Sequence, residues 1–462
     1  MAGSDKNQDN QEEKQNANEQ NEKNDTIQSD IINFLSSMKV GLILLILLAV
    51  ISSLGSFIPQ KEEPGVYFGE YGETIGEMIL TLGLDNIFEV WWFVGLIVLV
   101  CANLLFCNFK RLPSIYKRAF KPEKVTSKKK IKSFTNSADI EAGFPEEQAV
   151  NKVQNDLKQL NYKAEVKEND EGEKIIFAEK GRFSYLGSFL THISILIIVV
   201  GFAYGNYVGF EDFVSGVPGE VVEVEKADFD LRVDDFEIDY RDDYSVEQYN
   251  STLTVLEEEQ EIKQEKIYVN RPLRYDGINF YQSTHGWTAK LTVESQDNNF
   301  QDTLRMYEGG HFHYPQKNKV VYFHSFYPDY DVGIDGPINV SPKPNNPHFI
   351  WLLYVDNQME DMFVSAPGEA IEYRDTMFKF HDYSQYTGLR VVHDPGVPVF
   401  IAGSILMLVG LILSFYLYPR RVWAVVSSQG DKSKIIAGGR GLKDKASFNQ
   451  EFEKIMEKLD KR

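Results

Sequence analysis

The stretch "GSFLTHISILIIVVG", residues 187–201, puts one histidine, His192, near the start of an otherwise apolar run. That run lies within one of four segments close to the ~20 apolar residues that span a ~30 Å hydrocarbon core. The other three are "VGLILLILLAVISSLGSFIP" (40–59), "VWWFVGLIVLVCANLLFC" (90–107) and "VPVFIAGSILMLVGLILSFYLY" (397–418). In a chain of 462 residues whose mean hydropathy is −0.30, the apolar residues are clustered. The clusters predict four transmembrane helices at 33–59, 90–109, 183–207 and 396–418. The first reads as an anchor: about thirty polar residues precede it, and its apolar core is longer than the 7–15 residues of a signal peptide.

Basic residues set the expected orientation. "NFKRLPSIYKRAFKPEKVTSKKKIK" (108–132) follows the second span and marks its side as cytoplasmic, and "PRR" (419–421) directly after the fourth span agrees. Both termini are then cytoplasmic, and Trp91, Trp92 and Trp423 fall where interfacial aromatics are expected. Residues 1–32, rich in Asn, Gln, Glu and Lys, read as a disordered cytoplasmic tail. Residues 60–89 form an extracytoplasmic loop and 419–462 a cytoplasmic tail.

The segment 110–182 contains a small α+β insert. Ala149, Val150, Val153, Leu157 and Leu160 recur at helical spacing, and "YKAEV" and "KIIFAE" follow as strand-like runs. Segment 208–395 is a large extracytoplasmic β-rich domain, because alternating runs such as "DFDLRV", "STLTVL", "AKLTVE", "KVVYFHSF" and "FIWLLYV" are separated by Gly, Pro, Asp and Asn. A β-sandwich or open β architecture is expected there. The net charge of −20 argues against nucleic acid as a partner.

The two cysteines, Cys101 and Cys107, are six positions apart in the second span. Their helical rise of about 9 Å exceeds the ~7 Å Cα limit for a disulfide. The outer domain has no cysteine, which excludes thiol–disulfide chemistry on that side. Cys107 lies near the cytoplasmic end, with Lys110 and Arg111 one turn on to favour a thiolate. It reads either as a soft ligand or attachment point for a cofactor, or as a small buried hydrophobe.

His192 falls about 12 Å along the third span if that helix enters near Ser184. Ser188, Ile195 and Val199 share its side, beside a small-residue stripe of Gly187, Thr191, Ser194, Gly201 and Gly205. It therefore faces protein and not lipid. An interhelical hydrogen bond of about 1 kcal/mol is one reading. A ligand to haem iron is the sharper one, since neutral imidazole in an apolar pocket suits a porphyrin. His192 is the only histidine in the four spans, so a haem bound there has one ligand from this chain or takes its second from another subunit.

Other candidates are weaker. His311 and His313, in "HFHY", share one strand face and could touch a metal or haem. His393 sits beside the fourth span at the outer surface, and His285, His324, His348 and His381 offer less. The outer domain shows no nucleophile–base pair, phosphate loop or metal-spaced cluster, so no catalytic residue is assigned.

Five stretches in order carry a family resemblance: "VGLILLILLAVISSLGSFIPQ", "LVCANLLFCNFKRLP", "GSFLTHISILIIVVG", "VNRPLRYDGINFYQS" and "DPGVPVFIAGSILMLVGLILSFYLYPRRVWA". From about residue 32 to 426 the chain resembles the ResB (CcsB) proteins of system II cytochrome c biogenesis. The resemblance implies a multi-pass protein of the bacterial plasma membrane that works with a ResC (CcsA)-like partner. Together they would move haem across the bilayer and present it to the CXXCH thiols of apocytochrome c. It further implies that His192 is a haem ligand opposite a partner histidine, and that haem is held transiently and shared. The tryptophan-rich haem-handling motif of the partner is missing from this chain, which makes it a component of a cytochrome c synthetase and not the whole of one. A four-helix sensor with an outer β domain has the same topology, and a transporter would want acidic groups that the four spans lack.

Overall fold

Each of the four apolar runs forms a helix, the arrangement that satisfies every backbone N–H and C=O inside the segment where no water is available. In the computed structural model they are Met38–Phe57, Trp91–Phe120, Ser184–Val208 and Val397–Phe415, and all four are long and apolar enough to cross a membrane. The structure describes residues 29–168, 172–295, 300–314, 318–334, 336–356 and 358–460. The expected N-terminal tail lies, through residue 28, outside the described residues.

Two connections differ from their sequence reading. The loop 60–89 is largely helical: Pro64–Leu82 starts with Pro at its first position, is broken at Gly72 (φ 77°) and stops at the left-handed Gly83 (φ 69°). The second membrane-length helix runs on past residue 109 to Phe120, through Pro113.

The chain divides into two compact units, one made of the residues up to Phe202 with Pro398–Arg462, the other of Ala203–Val397. The first unit carries a five-stranded antiparallel sheet in the order Asn136–Ala142, Lys432–Gly441, Arg420–Gln429, Lys174–Lys180, Lys163–Glu168. Two of its three inner strands, Lys432–Gly441 and Arg420–Gln429, come from the segment read as a tail. On one face the helices Glu146–Gln159 and Lys445–Asp460 bury Val153, Leu157, Phe448, Phe452 and Ile455 against Ile176, Val422, Ala424 and Ile435. On the other, Ile131 packs with Ile175, Phe177, Trp423, Val425 and Ile436. Trp423 is therefore a core residue, only 5% exposed, and not the interfacial aromatic its position suggested. Arg440 covers it together with Phe134, and its indole N–H donates to Glu123 O at 3.1 Å.

The second unit is built on two long paired strands, Ile278–Ser295 and Thr376–His393. One end of the pair packs Ile278, Phe280, Leu389 and Val391 against Leu231, Val233, Leu253, Val255 and Ile267 of the sheet that includes Asp230–Tyr240 and Val246–Glu257. The other end packs Ala289, Leu291, Val293, Phe378 and Phe380 against Val321, Phe323, Phe349, Trp351 and Leu353 of the sheet His311–Tyr314, Lys319–Tyr327, His348–Val355, Gln358–Ser365. The unit is two sandwiches sharing one spine. Register shifts at Gln282/Thr284 and Thr288/Lys290 fall between the two cores. Across them the buried positions change from even numbers (278, 280) to odd ones (289, 291, 293), which is what extra residues in a ladder of period two produce.

Ending the chain at Pro419 should leave the four helices able to insert while residues 133–180 become rapidly cleaved in limited proteolysis, because the strands that complete their sheet are gone. Phe448→Ala, in the intact chain, should cost about 3–5 kcal/mol through the cavity it leaves. Undiminished protease resistance of 133–180 in the truncated protein would make that segment a self-sufficient module.

Candidate functional site

Small residues bring the third and fourth membrane-length helices together. A Cβ on Gly187 would lie 2.4 Å from Ser414 Oγ, and one on Gly410 would lie 2.6 Å from Thr191 Oγ1. Glycine is thus required at both places for backbones this close. Thr191 Oγ1 donates to Gly187 O at 3.0 Å and Ser194 Oγ to Thr191 O at 2.7 Å, so the polar groups of this seam are satisfied locally. Lys443 Nζ donates to Ser184 Oγ at 3.0 Å at the start of the third helix.

With Thr191 held against the fourth helix, His192 is turned about 100° around the axis and meets the second helix instead. Its Nδ1 is 3.2 Å from Oδ1 of Asn108, which is 4% exposed. The amide nitrogen of Asn108 donates to Leu104 O at 2.8 Å, which fixes its oxygen as the atom facing the ring. His192 Nδ1–H is then the donor, and Nε2 keeps its lone pair. The ring is half-buried, while Ser188 and Ile195 on the same side are exposed. A neutral imidazole with one nitrogen tied to a neighbour and the other available is the form in which histidine ligates a metal, so His192 could hold the iron of a haem.

Cys107 turns elsewhere. Its thiol donates to Ser36 O at 3.1 Å. Asn103 Nδ2 donates to Leu35 O at 2.6 Å and to Ser37 O at 3.1 Å. Lys110 Nζ donates to Ser36 Oγ at 3.0 Å and to Asn33 Oδ1 at 3.1 Å. At spacings of four and three, Asn103, Cys107 and Lys110 make one stripe that braces the break ahead of Met38. Cys107 thus meets the break ahead of Met38 and His192 meets Asn108, while Cys101 is half-buried earlier in the second helix.

Sequence reasoning passed over both asparagines. Their signal was visible in "CANLLFCNF", two amides inside an apolar run, since polar side chains at membrane depth usually face protein and carry a role.

The histidines of the second unit are dispersed. His393 Nδ1 lies 3.1 Å from Gly277 O and its ring stacks on Phe210. His285 reaches Tyr249 OH at 3.1 Å, His381 reaches Thr292 Oγ1 at 3.0 Å, and His348 and His324 bond to near neighbours in sequence. His311 and His313 face each other. Among the described residues no group of three or more His, Cys, Asp or Glu is arranged to hold a metal.

The ResB-like family profile matches residues 38–453. The chain is 29% identical over 449 residues to the cytochrome c biogenesis protein Ccs1 of Rhodomonas salina, covering 93% of this chain and 96% of that one. It is 26% identical over 456 residues to the cytochrome c biogenesis protein CcsB of a Nostoc species, covering 92% of each chain. A Picosynechococcus CcsB is 28% identical over 448 residues, covering 93% of this chain and 91% of the relative.

The Asn108 contact has a direct spectroscopic test. In ¹⁵N-labelled protein the His192 ring should show a protonated Nδ1 and an unprotonated Nε2, and Asn108→Leu should convert this into a mixture of tautomers without loss of the helices. An unchanged ring spectrum in Asn108→Leu would mean that the amide does not hold the imidazole.

Proposed function

The chain belongs to the ResB-like family, and from that premise we propose that it serves cytochrome c biogenesis as the membrane component that lends haem one axial ligand, His192. Relatives bearing the name of that process match more than 90% of the chain, which favours this reading over a four-helix sensor. The observation that carries it is the intramembrane imidazole braced at Nδ1 by Asn108 at 3.2 Å, on a helix face that remains partly open.

In this reading a ResC/CcsA-like protein would cover the open face and supply the second residue that holds haem. Haem, when bound, supplies the vinyl groups that receive the CXXCH thiols of apocytochrome c. The contribution of this chain is positional. Nε2 of His192 offers the lone pair, Asn108 fixes ring and tautomer, and the Gly187–Gly410 seam fixes the helix that carries both the ring and its open side. The second unit, free of cysteine, cannot compete for the apocytochrome thiols and acts as a scaffold for the partner or the apocytochrome. The basic residues around 110–132, 182 and 420–421 favour a cytoplasmic side for both termini and for segment 110–182, with 208–395 extracytoplasmic in this reading.

Cys107 was the second candidate to receive haem. Its hydrogen bond to Ser36 O favours the packing role, and it is kept only as a contact that haem could pass.

Copurification with the partner tests the reading. His192→Ala should lose the bound haem and the maturation of cytochrome c, with partial recovery in added imidazole. Asn108→Leu should lower haem affinity about 10–100-fold, as loss of an outer hydrogen bond to a ligating histidine does. Cys107→Ser should keep its haem. A full haem complement with an unaltered spectrum in His192→Ala would reduce that histidine to packing. Protease added to intact cells should cut within 208–395 and spare 110–182; the reverse pattern would invert the proposed path of haem.

A further inference from the structure

His311–Tyr314 is the edge strand of its sheet, paired only with Lys319–Tyr327, with His311 opposite Tyr322 and His313 opposite Val320. Phe312 and Tyr314 turn to the core side, Tyr314 fully buried, so both histidines stand exposed on the outer face. They line a concavity of about 340 Å³ together with Val320, Tyr322 and Tyr354.

The ring separation is informative. Residues i and i+2 on a strand are about 6.6–6.8 Å apart along the backbone, yet the two imidazole centroids are 5.0 Å apart, with ring planes at 87°. The rings converge. With metal–nitrogen bonds of about 2.0–2.1 Å, each ring centre sits about 3.2 Å from a bound ion, so adjacent ligands of one ion bring the centroids to about 4.5–5.2 Å and opposite ligands to about 6.4 Å. The observed spacing is that of two adjacent ligands on one ion. It does not suit the two opposite faces of a porphyrin.

We propose that His311 and His313 chelate one divalent first-row transition metal ion. Imidazole nitrogen suits borderline ions, and the affinity order for such ligands puts Cu²⁺ ahead of Zn²⁺. Two protein ligands leave the remaining positions to water or an exchangeable ligand, consistent with the lack of a third metal-binding side chain among the described residues. The site is a labile, open one, unlike a closed structural zinc site. It is independent of the haem reading, because neither His192 nor any membrane-length helix takes part.

The test uses the full untagged chain in detergent, titrated with Cu²⁺ and, separately, with Zn²⁺ against a chromophoric chelator. One equivalent of metal should bind, and the Cu²⁺ paramagnetic resonance spectrum should show coupling to two equivalent nitrogens. His311→Asn and His313→Asn should each bind at least tenfold more weakly, with circular dichroism and melting unchanged. His324→Asn, on the neighbouring strand, should bind like the parent chain. Equal metal affinity in the parent chain and both single variants, or a spectrum without two-nitrogen coupling, would overturn the proposal.

Discussion

The close approach of the third and fourth membrane-length helices is the constraint on which the rest of the structure depends. Gly187 and Gly410 leave no room for a side chain, so these backbones pack by direct contact, as small residues allow between helices in an apolar phase. The strands joined to the helix ends take their partners accordingly. Lys174–Lys180 leads into the third helix and Arg420–Gln429 leaves the fourth, and they pair antiparallel with Lys180 opposite Arg420. Where the first strand turns into the third helix, a Cβ on Gly181 would sit 2.4 Å from Tyr418 O, just after the fourth helix. In the second unit Phe210–Gly216 pairs with the end of Thr376–His393, Phe210 opposite His393, and a Cβ on Gly205 would sit 2.2 Å from Asp394 Oδ1. In each unit the register of a sheet is set by where the helices begin and end.

The same packing creates the candidate site. Once Thr191 is committed to the fourth helix, the geometry of an α-helix directs His192 to the second, where Asn108 Oδ1 accepts the hydrogen bond from its Nδ1–H. A buried amide without a partner would be costly, and Asn108 avoids that by using both its ends, one on Leu104 O and one on His192. The result is an imidazole with a defined tautomer and one nitrogen left over. The chain belongs to a family whose named relatives serve cytochrome c biogenesis. The His311–His313 pair differs in kind. There the pleat puts two exposed side chains on one face of a strand edge, and the rings then lean together to 5.0 Å.

The sequence alone determined the four membrane-length helices, the β-rich character of the long segment between the last two, and the one intramembrane histidine. These are local properties: the cost of burying a backbone polar group in hydrocarbon is paid residue by residue, so hydropathy and alternation along the chain report it directly. Tertiary structure alone decided three other things. The strands Arg420–Gln429 and Lys432–Gly441 looked like a tail, because "VWAVV" and "IIAGG" are continuous apolar runs without alternation that become strands only when residues 136–142 and 174–180, some 250 to 300 positions earlier, flank them on both sides. Trp423 looked interfacial for the same reason. The exchange of buried parity along Ile278–Ser295 needed bulges that no period-two reading contains. Whether His192 meets lipid, a cysteine or an amide depended on the rotation of one helix about its axis, and that angle was set by two glycines on opposite helices whose contact is invisible until both are packed.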